Sequence, residues 1–450
     1  MDFTEGSIYK KLIKFATPLF LGQLLQILYN MVDMVIVGRA VGKVGLSAVS
    51  VGGDLISFLN FMVMGFANAA SVIISQYIGA GKRKEVGNFI GTFAVFSVIS
   101  TAVTSAVCLI LRTEILGLLN TPEEAFYDAL QYSTVTMIGF MFIFGYNAIA
   151  AILRGLGDSK HPFVFIAFAA VLNVILDIIF VYFMDLRAFG AALATVISQG
   201  LSFVLCAVFL MKNRERFRIE MDRSALRIDR SELSTLLNLG IPMAIKQTAI
   251  HFSKLFVNSF VNSYGITVSA VCGIVTKIAS ISNQSANSFN TAGSSMVGQN
   301  IGAERYDRVP RVLFSVASIV FMINIVFAGL MTFVPEMVFG IFTDDPDVIE
   351  VAMEYVPYSY ILFLGIVCRA WSNSLVNGSG NFKVNFVVAI LDGIVLRMGL
   401  AYLFGIILGQ GYHGFWLGDT LAGVTPLFIA IVFYFSGAWK TRKYVIKEKK

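Results

Sequence analysis

The sequence predicts an all-α integral membrane protein with twelve transmembrane helices arranged as two six-helix bundles. Three observations predict this fold class: the composition, the number of long apolar stretches, and an internal repeat. Of the 450 residues, 57% are hydrophobic and 14% are charged, and the mean hydropathy is +0.76. Soluble proteins carry about 25% charged residues, so this composition is typical of a chain that lies in a lipid bilayer.

Twelve apolar stretches are long enough to cross the ~30 Å hydrocarbon core of a bilayer, which takes about 20 residues of α-helix. We place them near residues 11–36, 47–76, 86–111, 126–153, 162–184, 188–211, 233–262, 267–298, 310–334, 348–376, 383–407 and 412–436. Six spans return the chain to the side where it began. The two bundles therefore share one orientation, and we expect their pseudo-two-fold axis to run along the membrane normal.

An internal repeat supports the division into two bundles. Residues 75–86 recur as 298–309, with Ile-Gly-Ala in common, and further pairs recur at an offset of 223 or 224. These pairs are Pro18 and Pro242, Gln23 and Gln247, Gly155 and Gly378, Gly157 and Gly380, and Lys160 and Lys383. We predict an N-terminal bundle over 1–211, a polar cytoplasmic linker over 212–232, and a C-terminal bundle with a basic tail over 233–450. Duplicated membrane halves usually enclose one central binding site.

Basic residues predict how the chain is oriented. If the N-terminus is cytoplasmic, most of the 34 Lys and Arg residues fall on the cytoplasmic side. The opposite loops hold only Arg39, Lys43, Arg112 and Arg187. This bias predicts a multi-pass protein of the cell (plasma) membrane with both termini in the cytoplasm. It also accounts for the net charge of +6, so we expect no nucleic-acid partner. The first span lacks the features of a cleaved signal peptide.

Several function classes lack their motifs in this sequence. Gly-Ala-Gly-Lys at 79–82 lacks the first glycine and the Ser or Thr of an ATP-binding loop, which argues against direct ATP-driven transport. An intramembrane enzyme would need a catalytic constellation, yet the sequence has neither HExxH nor GxSxG and only three histidines. The four cysteines lie in apolar segments without CxxC spacing and are typical of small buried side chains. We therefore expect neither an enzyme nor a resident cofactor.

Polar residues inside the spans of the first half mark a candidate site. One face of the first span carries four of them, spaced three or four residues apart: Gln23, Gln26, Asn30 and Asp33. On the fifth span, Asn173 and Asp177 lie one turn apart. A charge at membrane depth costs at least ~2.5 kcal/mol, so such residues normally face a bundle interior or a water-filled cavity. Asp33 and Asp177 could share a proton or a sodium ion; alternatively, Asp33 lies at the outer interface and pairs with Arg39.

The second half carries basic and amide residues instead. The seventh span has Lys246 and, on one stripe, Gln247, His251, Lys254, Asn258 and Asn262. The eighth and tenth spans have two further sets: Asn283, Asn287, Asn290 and Ser294, and then Arg369, Asn373 and Asn377. Interhelical hydrogen bonding is an alternative role for the amides, and simple packing is an alternative for His251. Lys246 needs water or a carboxylate nearby if it is charged.

Asp392 and Arg397 lie five residues apart on the eleventh span. An α-helix places residues at this spacing on different faces. We therefore expect each of them to be a structural partner of another helix.

Four motifs resemble the multidrug and toxic compound extrusion (MATE) family. They are Tyr29-Asn-Met-Val-Asp33-Met-Val-Ile-Val-Gly38-Arg39, Ile152-Leu-Arg154-Gly-Leu-Gly157-Asp158, Asn173-Val-Ile-Leu-Asp177 and Gly190-Ala-Ala-Leu-Ala-Thr195. The likeness spans the whole chain and is stronger to the prokaryotic DinF-like branch. It implies two six-helix bundles that open to alternate sides and export organic compounds in exchange for protons or sodium ions.

The resemblance also implies a set of site residues. Carried over from the DinF-like branch, the ion-coupling site comprises Tyr29, Asp33, Asn147, Asn173, Asp177 and Thr195, with a sodium ion held at Asp33, Asn173 and Asp177. The second half departs from sodium-coupled NorM-type members, which use carboxylates on the seventh and tenth spans where this chain has basic residues. We expect the substrate cavity to be lined by Gln26, Asn30, Lys246, Gln247, His251, Lys254, Asn283, Asn287 and Arg369.

Together these observations predict a secondary active antiporter that exports cationic or amphipathic drugs or toxic metabolites by alternating access. The expected partners are a small organic substrate and membrane lipid, the expected state is a monomer, and the coupling proton or sodium ion takes the place of a cofactor. One alternative is a lipid-linked oligosaccharide flippase of the same superfamily, in which a basic second-half cavity would bind pyrophosphate. More distant alternatives are a membrane receptor that transports nothing and an intramembrane enzyme.

Overall fold

The computed structural model describes residues 1–217, 219 and 226–440, with the backbone alone at 61 and 62. These residues form twelve long helices and no strand, which confirms the predicted all-α fold. The long helices are α1 Ile8–Ala40, α2 Lys43–Gly79, α3 Arg83–Ile110, α4 Glu123–Gly155, α5 Lys160–Phe183, α6 Arg187–Lys212, α7 Arg230–Asn262, α8 Ile266–Gly302, α9 Val309–Phe333, α10 Pro346–Gly378, α11 Phe382–Ile407 and α12 Gly411–Phe435. Short helices Arg112–Leu118 and Pro335–Gly340 precede α4 and α10. Of the predicted linker and tail, residues 218, 220–225 and 441–450 lie outside the described residues.

Helix α7 differs from the others in its polarity. Across the described ranges, eleven helices are both long and apolar enough to cross a bilayer. Helix α7 has sufficient length, at 33 residues, but is not among the eleven. Its hydropathy is lowered by polar side chains such as Gln247, His251 and Lys254. A helix of this kind needs protein or water, rather than lipid, on its polar side.

Side-chain caps fix where α10 and α11 begin. The carboxylate of Asp345 accepts a hydrogen bond from the backbone N–H of Asp347 at 3.0 Å, next to Pro346 in the first turn. The amide oxygen of Asn381 accepts one from the N–H of Val384 at 3.3 Å. Such caps satisfy backbone donors that have no partner within the first turn. The register of both helices is therefore set locally, before they reach the buried polar residues described below.

The repeat extends to the backbone conformation of the turns. Gly157 and its counterpart Gly380 both have positive φ, at 83° and 68°. Gly81 has φ 72°, and its counterpart is Glu304, which has φ 59°. A left-handed conformation costs an L-residue about 1–2 kcal/mol, whereas glycine adopts it freely. The turn after α8 therefore keeps the conformation of the turn after α2 even without the glycine.

The described chain divides into two compact units. Unit 1 contains Met1 and Thr17–Leu237, and unit 2 contains Asp2–Ala16 and the described residues from Asn238 onward. Helix α1 therefore begins in unit 2 and continues in unit 1, and α7 begins in unit 1 and continues in unit 2. Within unit 1, α4 packs along α2 and α6. Within unit 2, α10 packs along α8 and α9, and α11 packs along α12.

Two glycines allow α12 to approach α11 closely. A Cβ atom at Gly414 would lie 2.4 Å from the backbone of Phe404, and one at Gly418 would lie 2.4 Å from the backbone nitrogen of Ala401. Larger residues at these positions would force the two helices apart. Because Asp419 directly follows Gly418, this approach brings its carboxylate within reach of α11.

Wider π turns interrupt the α-helical pattern in α5 and α11. They cover Ile178–Phe183 in α5, and Leu391–Val395 and Leu403–Ile407 in α11. A π turn pairs residues five apart, so it places such residues on one face. The prediction that Asp392 and Arg397 lie on different faces was therefore wrong. Arg397 Nη2 lies 3.4 Å from Asp392 Oδ1, and the two residues form an ion pair.

Candidate functional site

Two carboxylates lie buried in unit 1. Asp33 on α1 is 6% exposed, and Asp177, the residue before the π turn of α5, is 0% exposed. The two side chains interact electrostatically. Arg39, the alternative partner of Asp33, is exposed, and neither carboxylate forms an ion pair with a described residue. Two negative charges at this depth are costly unless a proton or a cation neutralises them.

Oxygen atoms around these carboxylates have no hydrogen-bond partner among the described residues. They are Asp33 Oδ1, both Asp177 carboxylate oxygens, Asn173 Oδ1 and Ser198 Oγ. Nearly all buried polar atoms in proteins are paired, so a group of unpaired acceptors needs an explanation. Asn173 and Asp177 are both buried, as their spacing of one helical turn allows. Carboxylate, amide and hydroxyl oxygens are also the ligands that hard cations prefer.

A cavity of about 10 Å³ lies beside Asn173. Its lining residues are Tyr29, Ile166, Ala169, Ala170, Asn173, Thr195, Ser198 and Gln199. This volume holds about one water molecule and excludes an organic compound. Three of the six residues predicted for ion coupling, Tyr29, Asn173 and Thr195, therefore line one cavity. The hydroxyl of Tyr29 also interacts electrostatically with Asp33 and Asp177, which links the cavity to the carboxylates.

Two lining residues, Ser198 and Gln199, were not among the predicted site residues. Gln199 Nε2 donates a hydrogen bond to the Tyr29 hydroxyl at 3.2 Å. Gln199 follows Thr195 by one helical turn on α6, and this spacing could have identified it.

The other predicted residues of unit 1 lie apart from this cavity. The amide of Asn147 donates to the carbonyl of Ile143 on its own helix at 3.0 Å. Asn30 is exposed and Gln26 is half-buried, and neither lines the cavity. The polar residues of α1 therefore differ in exposure: Asp33 is buried, whereas Asn30 is exposed.

A buried lysine and three amides form the first polar cluster of unit 2. Lys246 is 5% exposed. Its Nζ donates to the side-chain oxygens of Asn377 at 2.8 Å, Asn385 at 3.2 Å and Asn373 at 3.3 Å. An ammonium group has three N–H donors, and all three are used here. The lysine thus has amide oxygens where we expected water or a carboxylate, and Asn385 was not among the predicted residues.

A second cluster of unit 2 consists of ion pairs on α10, α11 and α12. Asp392 lies 3.4 Å from Arg397 and 3.8 Å from Arg369. Arg397 Nη1 also donates hydrogen bonds to the carboxylate and the backbone carbonyl of Asp419. The side chains of Asp392 and Arg397 are 1% and 2% exposed. Asp419 was not predicted, although a carboxylate inside the predicted span 412–436 was a usable signal.

The remaining predicted residues of unit 2 differ in exposure. Lys254 is half-buried and forms no hydrogen bond with a described residue, but it interacts electrostatically with Asp419, Arg397, Arg369 and Asp392. Gln247 is half-buried, and so is Asn283, whose amide donates to its own helix. His251 and Asn287 are exposed.

Equivalent positions of the repeat hold different chemistry in the two units. At an offset of 224, Asn173 corresponds to Arg397 and Thr195 corresponds to Asp419. In unit 1 this pair lines the small cavity. In unit 2 the same two positions form an ion pair. The duplicated backbone therefore carries uncompensated acids in one unit and a paired Arg and Asp in the other.

Comparison with known proteins gives a match over the whole chain. The MatE family model matches twice, over residues 18–179 and 242–403, which together make up more than half of the chain. "Probable multidrug resistance protein YpnP" of Bacillus subtilis (strain 168) is 31% identical over 443 residues, covering 98% of each chain. "Multidrug export protein MepA" of Staphylococcus aureus (strain MSSA476) is 23% identical over 400 residues, covering 88% of this chain and 87% of that one.

A solved structure is similar in fold. It is described as "Outward-facing conformation of a multidrug resistance MATE family transporter of the MOP superfamily" and aligns with a TM-score of 0.88 at 22% identity. The alignment covers 97% of this chain and 98% of that chain. The two matches of the family model begin and end 224 residues apart, in agreement with the internal repeat.

Proposed function

The chain belongs to the MatE family and is a multidrug efflux transporter rather than an enzyme, and from this premise we propose that it is a secondary active antiporter driven by protons or sodium ions. In this proposal, Asp33 and Asp177 of unit 1 form the ion-coupling site. The exported compounds are amphipathic organic molecules. The transport cycle uses no cofactor other than the coupling ion.

One observation carries the proposal: two buried carboxylates interact with each other and have no cationic partner among the described residues. In unit 2, by comparison, the buried carboxylate of Asp392 lies 3.4 Å from an arginine. A structural acid would be expected to have such a partner, whereas an acid that loads and unloads a cation must lack a permanent one. The adjoining cavity has the size of one water molecule, which suits a small ion.

The coupling follows from electrostatics. With both carboxylates ionised, their repulsion in a poorly polarisable interior favours a state in which water reaches them. One proton, or one sodium ion, neutralises a charge and favours a closed arrangement around the pair. The transporter needs only a lower substrate affinity in the ion-loaded state, because any ligand shifts an equilibrium by its differential affinity for the two states.

The residues fit a proton or a monovalent cation better than a divalent one. No group of three or more His, Cys, Asp or Glu side chains capable of holding a metal occurs in the described part of the chain. Sodium would use the two carboxylates, the Asn173 carbonyl and the Thr195 hydroxyl. Tyr29 and Gln199 are hydrogen-bonded to each other. They would supply neutral polar groups beside the two carboxylates without adding charge.

The proposal includes an orientation. The distribution of basic loops supports cytoplasmic termini, and in this proposal the protein acts as a monomer in the plasma membrane with lipid around its apolar helices. In this orientation Arg39, in the last turn of α1, and Lys43, the first residue of α2, lie outside. The coupling ion would enter from that side, while organic substrate would be taken from the cytoplasm or the inner leaflet.

The test is dye efflux from proteoliposomes with the proton and sodium gradients imposed separately. The wild type should accumulate or expel dye under at least one gradient. The variant Asp33→Asn should lose this gradient dependence, since one of the two acids becomes permanently neutral. Full gradient-driven transport by Asp33→Asn would contradict the assignment of the coupling site.

A matched control uses an exposed acid of the same unit. Asp185 is exposed and has φ 50°, a conformation that asparagine tolerates well. Asp185→Asn therefore makes the same chemical change away from the buried pair and should transport as the wild type does.

A further inference from the structure

The charges clustered in unit 2 do not balance. Four basic side chains interact electrostatically with only two carboxylates. The basic residues are Lys246, Lys254, Arg369 and Arg397, and the acids are Asp392 and Asp419. With all six groups ionised, the cluster carries two excess positive charges. Excess charge in a poorly solvated interior is costly unless a counter-ion is supplied.

Arg397 makes the strongest contacts with both carboxylates. It donates hydrogen bonds to Asp392 and Asp419 and is almost fully buried. Arg369 lies 3.8 Å from Asp392, which is an ion-pair distance but too long for a hydrogen bond. The buried Nε of Arg369 has no hydrogen-bond partner among the described residues. Arg369 therefore retains donor capacity that these two carboxylates do not use.

The two lysines differ in the same way. Lys246 uses all three of its N–H donors on amide oxygens. Lys254 has no hydrogen bond with any described residue and is half-buried. It lies two turns beyond Gln247 on one face of α7, so it projects from the polar stripe of that helix. Lys254 and Arg369 are thus the two basic groups of the cluster that have no hydrogen bond with a described residue, whereas Lys246 and Arg397 both have several.

A glycine lies beside Arg369. A Cβ atom at Gly423 would lie 3.4 Å from Arg369 Nη2. In the repeat, Gly423 of unit 2 corresponds to Gln199 of unit 1, at an offset of 224. Gln199 fills its position with an amide that bonds to Tyr29. Gly423 therefore has no side chain that could pair with Arg369, whose side chain is 17% exposed.

We propose that Lys254 and Arg369 bind an anionic group of the transported compound, so that amphiphiles with a carboxylate or sulfonate are substrates of this protein. The anion supplies the negative charge that the cluster lacks, and the guanidinium and ammonium supply charge-assisted hydrogen bonds. This inference rests on the proposed export function and names its substrate class. It narrows the expectation of cationic or amphipathic compounds to amphiphiles that carry an anionic group.

The test is a binding measurement that does not depend on transport. A rhodamine with a free carboxylate and its ethyl ester have the same fused-ring fluorophore and differ by one negative charge. Fluorescence anisotropy with the purified full chain in detergent gives the Kd of each dye. We expect the wild type to bind the carboxylate form at least about tenfold more tightly than the ester, the effect of one close charge pair. Equal affinities for the two dyes would overturn the proposal.

Variants of Lys254 assign the effect to a residue. Lys254→Gln should weaken binding of the carboxylate dye about tenfold and leave the ester's Kd unchanged. Lys254→Arg keeps the charge and should restore the preference. Lys277→Gln is the matched control, since Lys277 is an exposed lysine of the same unit, and it should bind both dyes as the wild type does. If Lys277→Gln reduced the preference as much as Lys254→Gln, general surface charge would explain the result and the assignment would fail.

Two further experiments distinguish failure of this inference from failure of the proposed function. Sodium sulfate at matched ionic strength should displace the carboxylate dye poorly, whereas decyl sulfate should displace it well. Equal displacement by both salts would indicate a site for free inorganic anions and would overturn the substrate assignment. In proteoliposomes, dye preference without gradient-driven transport would contradict the proposed function alone. Gradient-driven transport of the ester with no preference for the carboxylate would contradict this inference alone.

Discussion

Units 1 and 2 have the same architecture but different patterns of buried charge. Each contains most of six long helices, each matches the MatE family model over the same span of the repeat, and each keeps left-handed turns at equivalent positions. Yet Asp33 and Asp177 of unit 1 have no cationic partner among the described residues, whereas the cluster of unit 2 has four basic groups and two acids. The comparison teaches that apolar length and turn geometry maintain the fold, so the few buried ionisable positions could diverge.

The largest expected difference between the units concerns their carboxylates. Arg397→Met in unit 2 leaves Asp392 and Asp419 without their main cation and should lower the free energy of unfolding by about 3–5 kcal/mol. Asp177→Asn in unit 1 removes one of two like charges and should leave that free energy unchanged or raise it. Denaturant unfolding of the purified protein in detergent measures both.

The two outcomes must differ for the comparison to hold. Equal destabilisation by Arg397→Met and Asp177→Asn would mean that Asp177 stabilises the fold as much as the ion pairs of unit 2 do. The proposed coupling role of unit 1 would then lose its basis. Adding Asp392→Asn to Arg397→Met should recover part of the lost stability, since it removes one uncompensated charge.

A smaller effect is expected at Lys246. Lys246→Met keeps most of the side-chain volume but removes three hydrogen bonds from Asn373, Asn377 and Asn385. We expect a loss of about 1–3 kcal/mol of stability, because buried amide oxygens lose their donor. Ion dependence of efflux should persist, while the preference among substrates should change more.

Transport assays with the two imposed gradients check this expectation, with exposed Lys277→Met as the control. Loss of gradient dependence in Lys246→Met at normal stability would assign part of the ion coupling to unit 2. The division of roles between the units would then be incorrect.

The smallest expected effect compares the turns that the units share. Gly81 has φ 72° and open space around its Cα, so Gly81→Ala tests backbone strain alone and should cost about 1–2 kcal/mol. Gly53 lies inside α2, also with open space, and Gly53→Ala should instead stabilise by about 0.5–1 kcal/mol. Thermal unfolding of both variants measures the difference. A neutral Gly81→Ala would contradict the expected strain at this turn.

The sequence predicted the fold class and the twelve long helices well, and apolar length accounts for eleven of them. Helix α7 has the length of a span but is more polar than the others. Helix ends were less predictable: the first span was placed at 11–36, whereas α1 covers Ile8–Ala40, since its terminal turns are polar or basic. The sequence did not predict which polar residues of the first span face the interior of the protein. Only packing assigns Asp33 to the interior and Asn30 to the exterior.

The candidate sites were predictable where residues share one helix. Asn173 and Asp177 lie one turn apart and are both buried, as their spacing indicated. Contacts between helices were harder to predict from the sequence. The bond between Tyr29 and Gln199 joins residues 170 positions apart. Asp419 reaches Arg397 only because Gly414 and Gly418 bring two helices together.

The π turn at Leu391–Val395 has a consequence for how the two halves came to differ. The offset between equivalent residues is 223 at Lys160 and Lys383, but 224 at the left-handed residues Asp185 and Gly409. Unit 2 therefore contains one additional residue between these points, and the π turn lies in that interval. One residue advances an α-helix by about 100° and about 1.5 Å. A single codon gained or lost could thus rotate a whole set of side chains relative to Asp392 while hardly changing the length of the membrane span, which is a short mutational route from one buried charge pattern to another.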